Sequence, residues 1–154
     1  MKSFLQCNLL VIILCLNSPI IHAEQNYLLS QWVTKTLMDT LSISYDKPLN
    51  DYKDVKDNYS INAWSGMTSF LGGGGNLDKI RSQKLTLHPV FEGEPVILGS
   101  GKISGMNYWV VNQIVLIPEF DTRLNFKLNI LEQAAAQEDP YLIQSLKINV
   151  LPTQ

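Results

Sequence analysis

The spacing of apolar residues divides the chain into two parts. Up to about residue 80, apolar side chains recur at three- and four-residue spacing, which is typical of helices with one buried face. This spacing predicts three helices, over 26–43, 51–58 and 61–71, and a further helical turn through Leu77 and Ile80. Ser60 stands where an N-cap for the third helix is expected.

From Lys84 onward the period falls to two, which indicates β-strands. We expect strands over 84–92, 96–103, 108–117, 123–130 and 146–150, with Gly99 and Gly101 marking a bulge or a close backbone contact. Helices followed by consecutive strands with short connections predict an α+β fold, in which the helices pack on one face of a curved antiparallel sheet. On strand 123–130, Phe126 is predicted to face the core.

The N-terminus predicts a signal peptide. Lys2 precedes an apolar run over 9–16, and the segment ends in the small residue Ala23. The apolar run is short for a membrane span, which needs ~20 residues. We therefore expect a signal peptide over 1–23, cleaved after Ala23, and a single mature domain over 24–154; an uncleaved membrane anchor is the alternative.

Composition narrows the function classes. Both cysteines, Cys7 and Cys15, lie inside the predicted signal peptide. The mature chain then has no disulfide, no cysteine nucleophile and no cysteine metal ligand. A net charge of −2 without a Lys/Arg cluster argues against nucleic acid as a partner.

Four glycines run from Gly72 to Gly75, between two helical segments. A phosphate-binding P-loop would need Lys-Ser/Thr directly after the last glycine, and Asn76-Leu77 stands there instead. We therefore predict a helix-to-helix hinge with a left-handed glycine cap, and no nucleotide site.

The remaining polar residues also point to structural roles. His88 alternates with leucines and should point away from the core, solvated or hydrogen-bonded. The aspartates between 46 and 57 alternate with lysines, which favours a solvated face over a calcium loop. Asn58-Tyr59-Ser60 formally matches a glycosylation sequon, and the three tryptophans are expected to pack in the core.

Two amides interrupt the most apolar strand. One of Asn112 and Gln113 should face the core and need a partner, either through a sheet-edge or bulge bond or within a small polar cleft. We predict no catalytic, cofactor-binding or metal-ligating residue, and no enzymatic activity.

A set of short motifs then occurs in a distinctive order. The set consists of Tyr45-Asp46, Asp51-Tyr52, Tyr59 with Trp64, Asn76-Leu77 with Ile80, Pro95-Val96-Ile97, and Tyr108-Trp109-Val110 followed by Pro118. Over roughly 28–131, this order resembles the IcmL/DotI family of type IVB (Dot/Icm) secretion system proteins, which is related to a conjugation protein. The resemblance implies a nuclear-transport-factor-2-like cone, and assembly or scaffold work rather than catalysis.

Family members are inner-membrane proteins with a periplasmic domain, whereas this chain has a predicted signal peptide in place of the anchor. We therefore expect a periplasmic or exported interaction module of, or derived from, a type IVB secretion or conjugation apparatus. Its expected partners are envelope proteins of that apparatus, in a homo- or hetero-oligomer, with membrane association only if the N-terminal segment is uncleaved. The alternative is a small-ligand-binding or enzymatic cone. Among the inward-facing residues of the predicted sheet, the only polar groups are amides and hydroxyls. This absence of a convergent acid, base or histidine favours the interaction module.

Overall fold

A computed structural model describes residues 18–47, 52–73, 75–134 and 139–152 of the chain. Within these ranges the first half is helical: α1 spans Ser18–Leu41, α2 Lys53–Lys56, α3 Ile61–Gly73 and α4 Asn76–Ser82. The second half is a sheet: β1 spans Val90–Phe91, β2 Val96–Ile103, β3 Met106–Ile117, β4 Thr122–Glu132 and β5 Tyr141–Leu151. The α+β prediction is therefore confirmed.

The helices form where the apolar period predicted them. On α1, Leu29, Val33, Leu37 and Leu41 repeat every four residues, and each is at most 1% exposed. On α3 the buried positions are Ala63, Met67 and Leu71. The predicted N-cap is also present, because the Ser60 hydroxyl accepts a hydrogen bond of 3.1 Å from the Ala63 N–H.

The sheet is antiparallel throughout, in the order β1–β3–β4–β5, and β2 pairs with β3 alongside β1. The predicted bulge is confirmed between Ile97 and Gly99 on β2. One edge of the sheet, at β5, receives the chain that precedes α3. There the Ile143 N–H donates to the Asn58 carbonyl and the Ser60 N–H donates to the Ile143 carbonyl, each at 2.9 Å.

The core lies on one face of the sheet. On β3 the buried residues are every second one from Trp109 to Ile117, and on β4 they run from Leu124 to Ile130 in the same way. Phe126 is fully buried on this face, as predicted. Tyr141 joins the strands to α1, since its ring meets Trp32 edge-on at 5.4 Å and Trp109 at 5.5 Å.

Several predicted boundaries were wrong. The segment 84–92 forms a strand only at Val90–Phe91. Earlier in this segment the chain pairs instead with the residues after α1: the Leu87 N–H donates to the Ile43 carbonyl at 2.8 Å, and the Tyr45 N–H to the Leu85 carbonyl at 3.0 Å. The last strand begins at Tyr141 rather than 146, because two further residues reach the core face.

The predicted cleavage point lies inside a helix. α1 continues through Ala23 and Glu24 without a break. Residues 1–17, which hold most of the predicted signal peptide, lie outside the described residues, so cleavage stays a prediction. Asp51, at the predicted start of the second helix, also lies outside them, and α2 is shorter than expected.

The glycine segment joins two helices, as predicted. Gly72 and Gly73 are the last residues of α3, and Gly75 precedes α4 with a left-handed φ of 70°. Gly74 lies outside the described residues. A left-handed glycine therefore stands directly before α4.

These two backbone conformations predict opposite effects of alanine. Gly73 is helical with open space around its Cα, so Gly73→Ala should raise the free energy of unfolding by up to ~1 kcal/mol. Gly75→Ala should lower it by ~1 kcal/mol, because alanine is strained at positive φ. Urea unfolding of both variants measures the difference. A Gly75→Ala variant as stable as Gly73→Ala would contradict the assigned conformations.

Candidate interaction surface

The described residues hold no cluster that could bind a metal. No three His, Cys, Asp or Glu side chains converge within them. His88 is exposed and pairs with one carboxylate: its Nδ1 lies 2.7 Å from Glu119 Oε1, and its backbone N–H donates to both Glu119 oxygens at 3.1 and 3.2 Å. The prediction of a solvated, hydrogen-bonded histidine is confirmed.

The contacts of Glu119 change its proton affinity. Burial alone raises the pKa of Glu119, but hydrogen bonds from the side chain and backbone of His88 outweigh this effect, so the pKa lies below its ordinary value of 4.5. The pair fixes the segment before β1 onto the 3₁₀ turn Pro118–Phe120 that follows β3.

The core-facing amide is Gln113, which is 1% exposed. Its Nε2 donates to the Gly93 carbonyl at 3.2 Å and to the Ile114 carbonyl at 2.9 Å. Asn112 lies on the opposite face of β3. Gln113 therefore ties β3 to the turn before β2 through its Nε2, while its Oε1 is buried without a hydrogen-bond partner in the described part of the chain.

The other singled-out residues take structural roles. Tyr59 is buried, its hydroxyl lies 2.7 Å from Thr40 Oγ1, and burial raises the pKa of Tyr59. Asp54 and Asp57 are exposed, as predicted. Trp109 is buried, while Trp32 and Trp64 are partly buried and pack against the core.

The sheet face that points away from the core is divided by polarity. Cross-strand partners share a face, so the pairs Val90–Leu116 and Ile103–Met106 lie on the side opposite Trp109. We call this side of β1, β2 and β3 the outer apolar face; its residues are Val90, Val96, Ile103, Met106, Tyr108, Val110, Ile114 and Leu116. The same side of β4 and β5 carries mostly polar residues, among them the directly opposed Lys127 and Lys147, with leucines only toward the strand ends at 131, 142 and 151.

Much of the outer apolar face is accessible. Val90, Val96 and Ile103 are 49%, 56% and 54% exposed, and Met106 is 43% exposed. Tyr108 lies flat across the β2 backbone, where a Cβ on Gly101 would come within 2.7 Å of its ring. Because Gly101 has no side chain, the Tyr108 ring can lie against the β2 backbone at the surface of the sheet.

The outer apolar face also reaches an open sheet edge. Within the described residues, β2 pairs only with β3, so its other side carries unpaired backbone groups. Leu98, at the bulge on this edge, is 56% exposed. The outer apolar face is interrupted by Asn112, which lies opposite Val96. A largely apolar face beside an open edge is typical of protein–protein contact surfaces, which add a strand or cover the face.

The sequence interpretation did not identify this surface, although a signal was present. Strand β3 is apolar at both parities, with Val110 and Ile114 on one side and Val111 and Val115 on the other. Such a pattern usually indicates a strand covered on both faces. Here the second face is half-buried, so its apolar residues are only partly covered by the described part of the chain.

Comparison with known proteins places these features in context. The family model described as "Type-IV b secretion system, inner-membrane complex component" (T4BSS_DotI_IcmL) matches residues 9–121. No curated protein matches the chain. In the parts of the chain that the structure describes, no helix has both the length and the apolar character needed to cross a membrane.

Three solved structures share the fold. The periplasmic domain of DotI superposes with a TM-score of 0.67 at 16% identity, covering 79% of this chain and 92% of that one. A periplasmic fragment of TraM gives 0.70 at 15% identity, covering 82% and 98%. An IcmL-like type IV secretion system protein from Legionella pneumophila gives 0.62 at 13% identity, covering 82% and 93%.

The Glu119 contacts predict a pH-dependent stability. Because the folded-state pKa of Glu119 is lowered, its stabilising effect is present above the unfolded-state pKa and disappears as the pH falls through the folded-state pKa. Glu119→Gln should therefore lower the urea midpoint near neutral pH, and the difference from the parent should shrink below about pH 4. Glu94→Gln is the control, since Glu94 is exposed and has no ion pair within the described residues. A Glu119→Gln effect that persisted unchanged in acid would contradict the ionised hydrogen bond.

Proposed function

The chain belongs to the DotI/IcmL family of type IVb secretion system inner-membrane complex components, and on this premise we propose that it is a non-catalytic, periplasmic interaction module of such an apparatus. The observation that carries the proposal is the outer apolar face beside the open edge of β2. The proposed occupant of this face is another envelope protein of the secretion apparatus.

The physical argument is the free energy of burial. Val90, Val96, Ile103 and Met106 each leave close to half or more of their surface in water. Covering apolar surface contributes roughly 25 cal/mol per Å², and apolar side chains at the centre of an interface dominate its affinity. The middle of the same face on β4 and β5 is polar, with Lys127 opposite Lys147, and this polar region borders the contact on that side.

The location follows from the same premise. Two of the matched structures are periplasmic domains or fragments, DotI and TraM. We propose that residues 24–154 form one domain in the periplasm after cleavage at Ala23. If the chain were found in the membrane with Met1 retained, the N-terminal segment would be an anchor instead of a cleaved signal peptide. The periplasmic module would then keep the same contact surface.

The test is a charge placed on the outer apolar face. In the double variant Val96→Asp/Ile103→Asp both substituted positions are more than half exposed, so the fold should keep its melting temperature. A carboxylate at the centre of an apolar contact loses its hydration, so recovery of secretion-apparatus proteins with the tagged chain should fall about tenfold or more. Recovery is measured by quantitative mass spectrometry after purification from solubilised envelopes.

Ile61→Asp is the matched control. Ile61 is 87% exposed and begins α3, on the helical side of the molecule, where an acidic residue also suits the helix N-terminus. This variant should recover the same proteins as the parent. Two outcomes would contradict the assignment of the outer apolar face as the contact surface: the double variant recovers as much of these proteins as the parent does, or the control loses as much as the double variant.

A further inference from the structure

A pocket of about 430 Å³ lies within the helical layer, apart from the outer apolar face. Its described lining residues come from the end of α1 and from α2, α3 and α4, and none of them belongs to a strand. The apolar walls include Ile43, Trp64, Leu71 and Leu77. The volume falls within the ~300–1,000 Å³ range of small-molecule sites.

The threonine hydroxyl groups that line the pocket already have partners. Thr40 Oγ1 donates to the Thr36 carbonyl at 2.6 Å and lies 2.7 Å from the Tyr59 hydroxyl. Thr68 Oγ1 donates to the Trp64 carbonyl at 3.0 Å. Because these hydroxyls are satisfied within the protein, the pocket interior favours an apolar occupant.

The charged residues that line the pocket are both cationic. Lys53 and Lys56 lie three residues apart on α2, a helix with no buried residue. Neither lysine forms an ion pair within the described residues. Lysine stems can cover an apolar wall while their ammonium groups stay in water, so two ammonium groups stand at the mouth of the pocket. Asp54 and Asp57 are exposed on the same segment but do not line the pocket.

An apolar interior with two cations at the mouth has a definite chemical complement. The geometry points to a single-chain anionic amphiphile, such as a fatty acid, as the ligand of this pocket. The chain lies between the helices against Trp64 and Leu71, and the carboxylate lies at Lys53 and Lys56. This ligand site is independent of the proposed partner contact, because it uses different residues on the other side of the molecule.

Trp64 provides a direct readout. Bromine quenches tryptophan fluorescence on contact, so ω-bromoundecanoate should quench the emission of the purified chain. Trp64→Phe should remove most of the quenching, although Trp32 and Trp109 still fluoresce. Quenching that persists in the Trp64→Phe variant, or no quenching of the parent, would overturn the site.

Charge selectivity is tested by calorimetry with dodecanoate below its micellar concentration. Lys53→Gln/Lys56→Gln should weaken binding about three- to tenfold, as the loss of partly exposed ion pairs implies. Lys127→Gln/Lys147→Gln removes two neighbouring charges from the polar sheet face and should bind as the parent does. Dodecanol, which has no charge, should bind more weakly than dodecanoate. Lysophosphatidylglycerol is tested in parallel, and its affinity relative to dodecanoate distinguishes a membrane-derived lysolipid from a free fatty acid as the ligand.

A second variant covers the case in which the lysine changes disturb α2. Thr68 is exposed at the pocket wall, and Thr68→Phe should fill the cavity and abolish binding with little change in melting temperature. Equal binding of dodecanoate and dodecanol would contradict the anionic assignment. Binding of an acidic apolar peptide, with no binding of dodecanoate, would assign the pocket to a protein segment instead.

Discussion

The whole arrangement depends on the fact that one layer of helices can bury only one face of the sheet. The buried residues of β3 and β4 alternate strictly, from Trp109 to Ile117 and from Leu124 to Ile130, and α1 supplies their apolar partners through Leu29 and Leu37. Strand β3 is nonetheless apolar on its second face as well. This incomplete burial within the described residues is the physical basis of the proposed partner contact.

The sheet and the helical layer each provide a different kind of proposed site. The sheet offers a broad surface with an open edge at β2, suited to a protein, whereas the helical layer encloses a pocket lined by Trp64 and Leu71, suited to a small apolar chain. The opposite sheet edge is not equivalent, because the bonds between Ile143 and the chain before α3 occupy part of it. Within the described residues, β2 is therefore the more open edge of the sheet.

Most of the fold could be predicted because periodicity reports which side chains face the core. The four-residue repeat of α1 and the alternation around Phe126 each specify one buried face, and both are observed. The segment around Leu87 alternates equally well but hydrogen-bonds to the residues after α1, a tertiary pairing that no local pattern encodes. The outer apolar face was missed for a related reason: an apolar residue such as Val110 has the same local pattern whether its cover comes from the same chain or from another.

The most direct test of the central claim is site-specific photo-crosslinking in intact cells. A photoreactive side chain is placed at Ile103, on the outer apolar face, and in separate variants at Lys127, on the polar part of the same sheet face, and at Ile61, on the helical side. The account predicts that position 103 crosslinks to a secretion-apparatus protein, and that positions 127 and 61 give far less product. Crosslinks from position 61 to such a protein, with none from position 103, would contradict it.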